Sequence, residues 1–305
     1  MRKIFDQIID KIQITILSID GGGVKGYYQA KLLKLISEEL NVDLIKYFDL
    51  MIGTSTGAII TTSLLNGLST SDIHKLYYEN VPKIFTKTRF NVGGVYKSKY
   101  DPKILEKVLK KYFGTTKLEA TPNLYIPAIE ITKGQNYIFS AINYPKLPQY
   151  RAVMASCAAP SIFPPYKIRN KYFIDGGLWI NNPSVHIILQ KLHENSVRLG
   201  RIKILSIGSV KPNPAIIDTN QKNGNRWGLA NWNKKIIDIL LDYQSFADDQ
   251  FLDSLLTRDQ YLRINHSASP DLNKIDGVKD LEKLDLLAEE AFAKNRKKLV
   301  DFFNV

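Results

Sequence analysis

The sequence has one cysteine, Cys157, in 305 residues, so it cannot form an intrachain disulfide. That absence favours a reducing compartment. No stretch approaches the ~20 consecutive apolar residues that a membrane-spanning helix needs. Residues 1–11 mix charges of both signs with short apolar pieces, so we find no signal peptide in them. We therefore expect a cytoplasmic protein that does not span a membrane.

Histidine is also scarce, which limits the choice of a catalytic base. The four histidines are His74, His186, His193 and His266. The first three fall on helix faces that we expect to be exposed, and the last lies in a loop-like stretch. The acids Asp248, Asp249 and Asp253 fit a solvated helix face better than a calcium site. We therefore expect neither a metal nor a cofactor.

Positive charge is in excess, with a formal net charge of +12. Residues 83–111 carry nine basic side chains against two acids, with aromatic residues between them. Such a segment suits an anionic membrane surface or a nucleic acid, although an ordinary lysine-rich surface has the same composition. No DNA-reading helix or module is recognisable, so we expect no nucleic-acid partner. The basic residues are Lys83, Lys87, Arg89, Lys97, Lys99, Lys103, Lys107, Lys110 and Lys111.

Apolar periodicity predicts an α/β protein with a single domain, residues 1–305, whose core covers about residues 12–300. Strands are predicted at 12–19, 45–52, 124–131, 136–139, 171–174, 202–207 and 260–264. Helices are predicted at 27–40, 57–66, 72–80, 101–112, 150–160, 183–194, 236–256 and 281–303. Two polar loops, residues 85–100 and 208–233, are candidate mobile walls of a site.

The first predicted strand runs into Asp-Gly-Gly-Gly-Val-Lys-Gly at positions 20–26, and a predicted helix follows. Consecutive glycines at a helix start leave several backbone N–H groups free to converge on an anion. The stretch lacks the Gly-Lys-Ser/Thr ending of a phosphate loop, and its glycines match the dinucleotide-binding pattern only formally. A flexible glycine turn is the plain alternative.

A second site-like stretch is Gly-Thr-Ser-Thr-Gly at positions 53–57, between two apolar runs. It matches the nucleophile-elbow pattern G-x-S-x-G, in which a sharp turn between strand and helix exposes the serine hydroxyl. Gly53 and Gly57 would let the backbone bend and pack without Cβ clashes. Alone the pattern is a weak signal, because a simple Gly/Ser turn satisfies it equally well.

The third stretch is Asp175-Gly176-Gly177, which follows the predicted strand 171–174. An acid at a strand end before two glycines is typical of a site, although an Asx turn has the same sequence. Shortly before it, residues 150–160 predict a helix of small side chains that can approach a neighbour closely. Cys157 lies in that helix, and we expect a small buried side chain rather than a nucleophile.

The three stretches follow three predicted strands, and the carboxyl ends of parallel strands share one edge of a sheet. Ester hydrolysis needs a nucleophile, a base and a group that stabilises the oxyanion. Ser55, Asp175 and the glycine amides supply these roles. A triad of Ser55, Asp175 and His266, in the chain order of the α/β-hydrolases, is the alternative.

Four blocks in this order resemble the patatin-like phospholipases of bacterial type, which are lipid acyl hydrolases. The blocks are residues 20–26, residues 53–57, Ala-Ser-Cys-Ala-Ala-Pro at 155–160, and residues 175–177. Residues 207–209 and 261–264 also resemble family segments, so the resemblance covers about residues 12–300. It implies a three-layer α/β/α fold with a mostly parallel central sheet.

The resemblance also implies a role for each block. Ser55 attacks the ester carbonyl and Asp175 takes its proton, in a hydrolase of the phospholipase A or lysophospholipase type. The oxyanion donors would be the amides of Gly21, Gly22, Gly23 and Val24. Supporting residues would be Lys25, Gly26, Gly53, Gly57, Gly176 and Gly177. The family often has arginine in place of Lys25, so we expect a point charge to hold the loop here.

The expected partner is a phospholipid membrane, bound peripherally through residues 83–111. A second hypothesis is a phospholipase effector of antiphage defence that a cyclic nucleotide activates, because some bacterial patatin-like proteins of that kind resemble this chain. Arg89, Lys97 and Arg226 of the two polar loops could then meet phosphates. A non-catalytic lipid-binding relative is a third hypothesis, which the intact Ser55 and Asp175 disfavour. The sequence does not exclude a homo-oligomer.

Overall fold

The computed structural model describes residues 13–86, 98–194, 197–212, 229–268, 277–278 and 281–305. The strands are β1 (Ile14–Ile19), β2 (Leu50–Gly53), β3 (Leu124–Glu130), β4 (Gln135–Phe139), β5 (Tyr166–Ile168), β6 (Lys171–Asp175), β7 (Ile202–Ile207), β8 (Lys211–Pro212), β9 (Tyr261–Ile264) and β10 (Ser267–Ala268). The helices are α1 (Gly26–Glu39), α2 (Leu44–Tyr47), α3 (Thr56–Leu65), α4 (Thr70–Ile84), α5 (Pro102–Phe113), α6 (Gln149–Ser156), α7 (Gly177–Ile180), α8 (Ser184–His193), α9 (Leu229–Leu255) and α10 (Leu281–Phe303). Strands and helices alternate along the chain, as the apolar pattern predicts.

One mixed sheet of eight strands organises the protein, in the order β5-β6-β3-β2-β1-β7-β9, with β4 also paired to β3. Five neighbouring strands of the sheet pair in parallel, in the order β3-β2-β1-β7-β9, and β1 is the middle one of these five. β3 pairs antiparallel with β4 and β6, and β5 pairs antiparallel with β6. The antiparallel part is therefore confined to the side of the sheet that begins at β3.

Apolar clusters lie on both faces of this sheet. Successive side chains of a strand point to opposite faces, and those of β1 do so here. Leu17 belongs to a cluster with Leu32 of α1 and Ile60 of α3. Ile16 belongs to a second cluster with Ile187 of α8. Helices therefore cover both faces, which confirms the predicted three-layer α/β/α architecture with a mostly parallel sheet.

Three predicted boundaries are wrong. Residues 45–52 are not one strand, because the Asp43 carboxylate caps helix α2 by accepting hydrogen bonds from the amides of Ile45 and Lys46. The helix predicted at 150–160 ends at Ser156. The predicted loop 208–233 contains β8, and α9 already begins at Leu229 rather than at 236.

Within the described ranges, no helix is long and apolar enough to cross a bilayer. The single-domain organisation stays a prediction.

Candidate active site

Ser55 lies in the turn between β2 and α3, with φ 52° and ψ −115°. Such a backbone is strained for a residue with a side chain, by roughly 1–3 kcal/mol, and functional sites commonly hold strain of this kind. Two glycines permit the turn. A Cβ atom on Gly53 would lie 2.2 Å from the carbonyl oxygen of Gly57, and one on Gly57 would lie 2.3 Å from that of Ile19. The stretch therefore has the geometry of a nucleophile elbow.

The hydroxyl of Ser55 donates a hydrogen bond to the carboxylate of Asp175, with 2.6 Å between Oγ and Oδ2. The other carboxylate oxygen, Oδ1, accepts a 2.7 Å hydrogen bond from the amide of Gly177. Ser156, at the end of α6, accepts a 2.9 Å hydrogen bond from the amide of Ser55. Ser55 is 9% exposed and Asp175 is 7% exposed. Hydrogen bonds thus hold the two side chains in place, and little of either is accessible to water.

Burial raises the pKa of Asp175 to about 6, while the hydrogen bonds from Ser55 and Gly177 lower it in part. A carboxylate that is desolvated in this way accepts a proton more readily than an exposed one. Burial also raises the pKa of the adjacent Cys157 thiol well above its ordinary range, and the charge of Asp175 adds to this. Cys157 is therefore a buried neutral thiol, as the sequence predicts.

The meeting of Ser55 and Asp175 is as expected, but the reason that we gave for it is wrong. β6 runs antiparallel to β3 and pairs Asp175 with Ala128. β2 pairs only with the first part of β3, and the last pair is Ile52 opposite Tyr125. β6 therefore runs along β3 toward the point where β2 ends, and its last residue reaches the serine turn.

The glycine loop lies against this pair. It continues from β1 through a 3₁₀ turn, Gly23–Lys25, into α1. A Cβ atom on Gly21 would lie 3.5 Å from Cβ of Ser55, which shows how closely the loop approaches the nucleophile. Within the described part of the chain, the amides of Gly22, Gly23 and Val24 have no hydrogen-bond acceptor. These three amides can therefore receive an oxyanion.

Gly21 does not fit its predicted role as an oxyanion donor. Its amide donates a 3.1 Å hydrogen bond to the carbonyl oxygen of Asn181. The residue is needed for space instead, because a Cβ atom there would lie 2.5 Å from Oδ1 of the same asparagine. Lys25 also differs from expectation. It is 4% exposed, and among the described residues no carboxylate pairs with its amine.

Two of the supporting glycines lie where a side chain would not fit. A Cβ atom on Gly26 would lie 2.0 Å from Oγ1 of Thr56, and one on Gly176 would lie 2.5 Å from the carbonyl oxygen of Pro127. Gly177 has more space, and its amide holds Asp175 as described above.

Among the described contacts, no histidine hydrogen-bonds to Ser55 or Asp175. His266 faces Glu290 of α10 at 3.2 Å, while the carboxylate of Asp175 is occupied by Ser55 and Gly177. The described structure thus gives the triad alternative no support. His74 and His186 are half-buried rather than exposed, because His74 contacts Asp285 at 2.9 Å and His186 packs on the Trp179 ring.

The acids of α9 also differ from the prediction of a solvated face. Asp249 accepts a 2.9 Å hydrogen bond from the hydroxyl of Tyr261. Asp248 has a buried oxygen, Oδ2, that lacks a partner among the described residues, and burial raises its pKa to about 7. Asp253 alone of the three is exposed. In the ranges that the structure covers, no group of three or more His, Cys, Asp or Glu side chains could hold a metal ion.

Two further residues near the glycine loop, Arg263 and Asn181, were not predicted from the sequence. Arg263 of β9 donates hydrogen bonds from both terminal nitrogens to the carboxylate of Asp20, at 2.7 and 2.6 Å. Asn181 follows α7 and contacts the glycine loop. An arginine inside an apolar strand is a signal that a buried acid lies nearby, but it does not say which one.

A serine on an elbow, a buried aspartate and free amides together define a site suited to ester hydrolysis. The family model "Patatin-like phospholipase" matches residues 17–187 of the chain. Patatin-like protein 2 of Arabidopsis thaliana is 30% identical, over 90% of this chain and 81% of that protein. Patatin-T5 of Solanum tuberosum is 29% identical, over 84% of this chain and 76% of that protein. The chain therefore belongs to the patatin-like phospholipase family.

A solved structure agrees on the fold. VipD from Legionella pneumophila superposes with a TM-score of 0.52 at 14% identity, covering 94% of this chain and 66% of the VipD chain. At this identity the likeness concerns the fold alone. Membership of a phospholipase family in turn supports a lipid-ester hydrolase.

Proposed function

We propose that this protein hydrolyses the carboxylic esters of membrane phospholipids with Ser55 as nucleophile and Asp175 as base. The observation that carries the proposal is the 2.6 Å hydrogen bond from the serine hydroxyl to the buried carboxylate. Family membership supports the substrate class. The elbow geometry supports the choice of Ser55 as the attacking residue.

In the acylation step, Oγ of Ser55 attacks the ester carbonyl carbon while its proton passes to Oδ2 of Asp175. The C–O double bond becomes a single bond, and negative charge develops on the former carbonyl oxygen. The amides of Gly22, Gly23 and Val24 stabilise this oxyanion. In other hydrolases one such donor contributes roughly 10²–10³ in kcat.

The tetrahedral intermediate then collapses and the bond to the leaving alcohol breaks. Asp175 returns the proton to the departing oxygen, which leaves an acyl group on Ser55. A water molecule then attacks the acyl carbon while one of its protons passes to Asp175. As this second tetrahedral intermediate collapses, the bond from the acyl carbon to Oγ of Ser55 breaks, Asp175 returns the proton to Oγ, and the fatty acid leaves. The Gly177 amide keeps the carboxylate oriented through both halves of the reaction.

A fluorescent phospholipid cleavage assay on the wild type and on Ser55→Ala tests the proposal. We expect the wild type to release labelled fatty acid and Ser55→Ala to lose at least ~10³-fold in rate, since the nucleophile is gone. Assays over several head groups and over both acyl positions assign the substrate. Equal rates for the two proteins would refute the role of Ser55.

The membrane partner and the cyclic-nucleotide hypothesis stay predictions. Part of the basic segment 83–111 lies outside the described residues, as do Arg89, Lys97 and Arg226. The two candidate mobile loops also fall largely outside the described ranges. Measuring hydrolysis with and without a panel of cyclic nucleotides decides between constitutive and ligand-gated activity.

A further inference from the structure

Asp20, the residue that joins β1 to the glycine loop, is almost fully buried, with 1% of its surface exposed. Its partner is Arg263, the third residue of β9. The guanidinium donates from Nη1 to Oδ1 at 2.7 Å and from Nη2 to Oδ2 at 2.6 Å. This two-pronged geometry fixes direction as well as distance, which a lysine in the same place could not do.

The pair is part of a wider network that reaches the site. Nη1 of Arg263 also donates to Oγ of Ser206 on β7, at 2.7 Å. Ser245 of α9 donates to Oδ2 of Asp20 at 3.3 Å, and Asn181 donates from Nδ2 to Ser245 at 2.9 Å. The carbonyl oxygen of Asn181 in turn accepts the Gly21 amide. Consecutive residues at the start of the glycine loop, Asp20 and Gly21, are therefore both anchored.

The amides that follow have no such anchor. Gly22, Gly23 and Val24 donate to no acceptor in the described residues, and Gly23 has a positive φ of 58°. A loop of this kind can adopt other conformations, because glycine tolerates a wide range of backbone angles. The direction of its free amides therefore depends on the residues that hold its first end.

We propose that Arg263 is a positioning residue for ester hydrolysis, which holds the glycine loop through Asp20 so that the Gly22, Gly23 and Val24 amides face the oxyanion. The inference rests on the proposed function. Among the described hydrogen bonds, Arg263 donates to Asp20 and Ser206 and to neither the nucleophile nor the base.

The electrostatics of the pair supply a specific readout. Burial raises the pKa of Asp20, and Arg263 opposes this rise. The other titratable groups that face the pair are Asp248 and Asp249 of α9, Tyr261 of β9 and Tyr28 of α1. Without Arg263 the pKa of Asp20 rises further. Above that higher pKa the carboxylate is charged, buried and unpaired, so the loop is displaced from its position.

The experiment measures kcat and KM for a soluble ester over a range of pH in Arg263→Gln. We expect kcat to fall by about 10–100-fold with KM changed by less than about 3-fold, because the oxyanion forms only in the transition state. We also expect the loss relative to wild type to grow as pH rises. Arg263→Lys should recover part of the activity. Arg258→Gln removes a nearby exposed arginine and should retain wild-type kcat.

The double variant Asp20→Asn, Arg263→Gln removes both charges of the pair, so it serves if Arg263→Gln alone does not fold. We expect a loss of kcat no larger than that of either single variant, Asp20→Asn or Arg263→Gln. Wild-type kcat in the double variant would overturn the inference. So would losses that multiply, since the two residues would then act independently.

The phospholipid cleavage assay on wild type and Ser55→Ala separates the two proposals. If wild type does not cleave the labelled phospholipid, or if Ser55→Ala cleaves it equally well, the proposed function fails. If wild type is active, Ser55→Ala is inactive and Arg263→Gln equals wild type at every pH, only the role of Arg263 fails.

Discussion

At the scale of single residues, the proposed role of Asp175 as base depends on its burial. An exposed carboxylate titrates at ~3.9 and accepts a proton from an alcohol poorly. Asp175 is desolvated, and its carboxylate accepts hydrogen bonds from the Ser55 hydroxyl and the Gly177 amide. Those two hydrogen bonds favour the charged form, but burial outweighs them and the pKa is raised to about 6. The residue is thus ionised at neutral pH and more basic than an ordinary aspartate.

This pKa gives a pH dependence with a definite sign. Asp175 must be ionised to accept the serine proton, so kcat/KM should rise with pH through about 6 and level off above about 7. A soluble ester, assayed from about pH 4.5 to 8.5, avoids the effects of a lipid surface. His266→Ala should show the same rise, which excludes His266 as its source. A rise centred near the ordinary aspartate value would contradict the assignment.

At the scale of elements, the site depends on how closely the α3 helix packs on β1. A Cβ atom on Gly57 would meet the carbonyl oxygens of Ile19 and Asp20 at 2.3 and 2.9 Å. Both carbonyl oxygens belong to the backbone at the end of a central strand. They cannot move to make room for a methyl group as a flexible side chain can. The elbow and the glycine loop can therefore lie this close only because Gly57 has no side chain.

Gly57→Ala should therefore destabilise the protein by at least about 1–3 kcal/mol and reduce hydrolysis, because the added methyl pushes the elbow away from the glycine loop. Gly200→Ala is the matched control, since nothing lies within 4 Å of a Cβ atom at that position. Urea unfolding and the ester assay measure the two effects. Equal stability of the two variants would show that the elbow tolerates a wider separation from β1.

The elements also show where sequence reasoning stops. The strand, turn and helix around Ser55 are local, so their order could be read from apolar runs and glycines. The direction of β6 is not local, because an antiparallel five-residue strand and a parallel one have the same apolar pattern. The partners of Arg263 and His74 are likewise invisible in sequence, since they lie 243 and 211 residues away along the chain. The sequence therefore predicted that Ser55 and Asp175 meet, and it did not predict the contacts that position them.

At the scale of the whole molecule, the net charge of +12 is the feature that bears on membrane binding. Helix α5, within the basic segment 83–111, exposes Lys103, Lys107 and Lys111 at intervals of one helical turn. Each lysine near an anionic bilayer contributes about 1 kcal/mol of binding free energy. A face of this kind would bring the protein to its substrate and would lose its effect at high salt.

Replacing Lys103, Lys107 and Lys111 by glutamine should weaken binding to anionic vesicles by on the order of 100-fold, because three such contributions are lost. Vesicle sedimentation with about 30% anionic lipid, at low and high salt, measures the change. The same substitutions at Lys294, Lys297 and Lys298 of α10 remove equal charge from another exposed surface. If both triple variants lose binding equally, net charge alone is responsible and α5 has no special role.

The central claim is that Asp175 rather than a histidine is the base for Ser55. The most direct test compares hydrolysis of one phospholipid by the wild type, Asp175→Asn and His266→Ala. Asparagine has nearly the same shape as aspartate and can still hydrogen-bond to Ser55, but it cannot accept the serine proton. We predict that Asp175→Asn abolishes hydrolysis while His266→Ala retains most of it. Loss of activity in His266→Ala with an active Asp175→Asn would contradict the account and restore the triad.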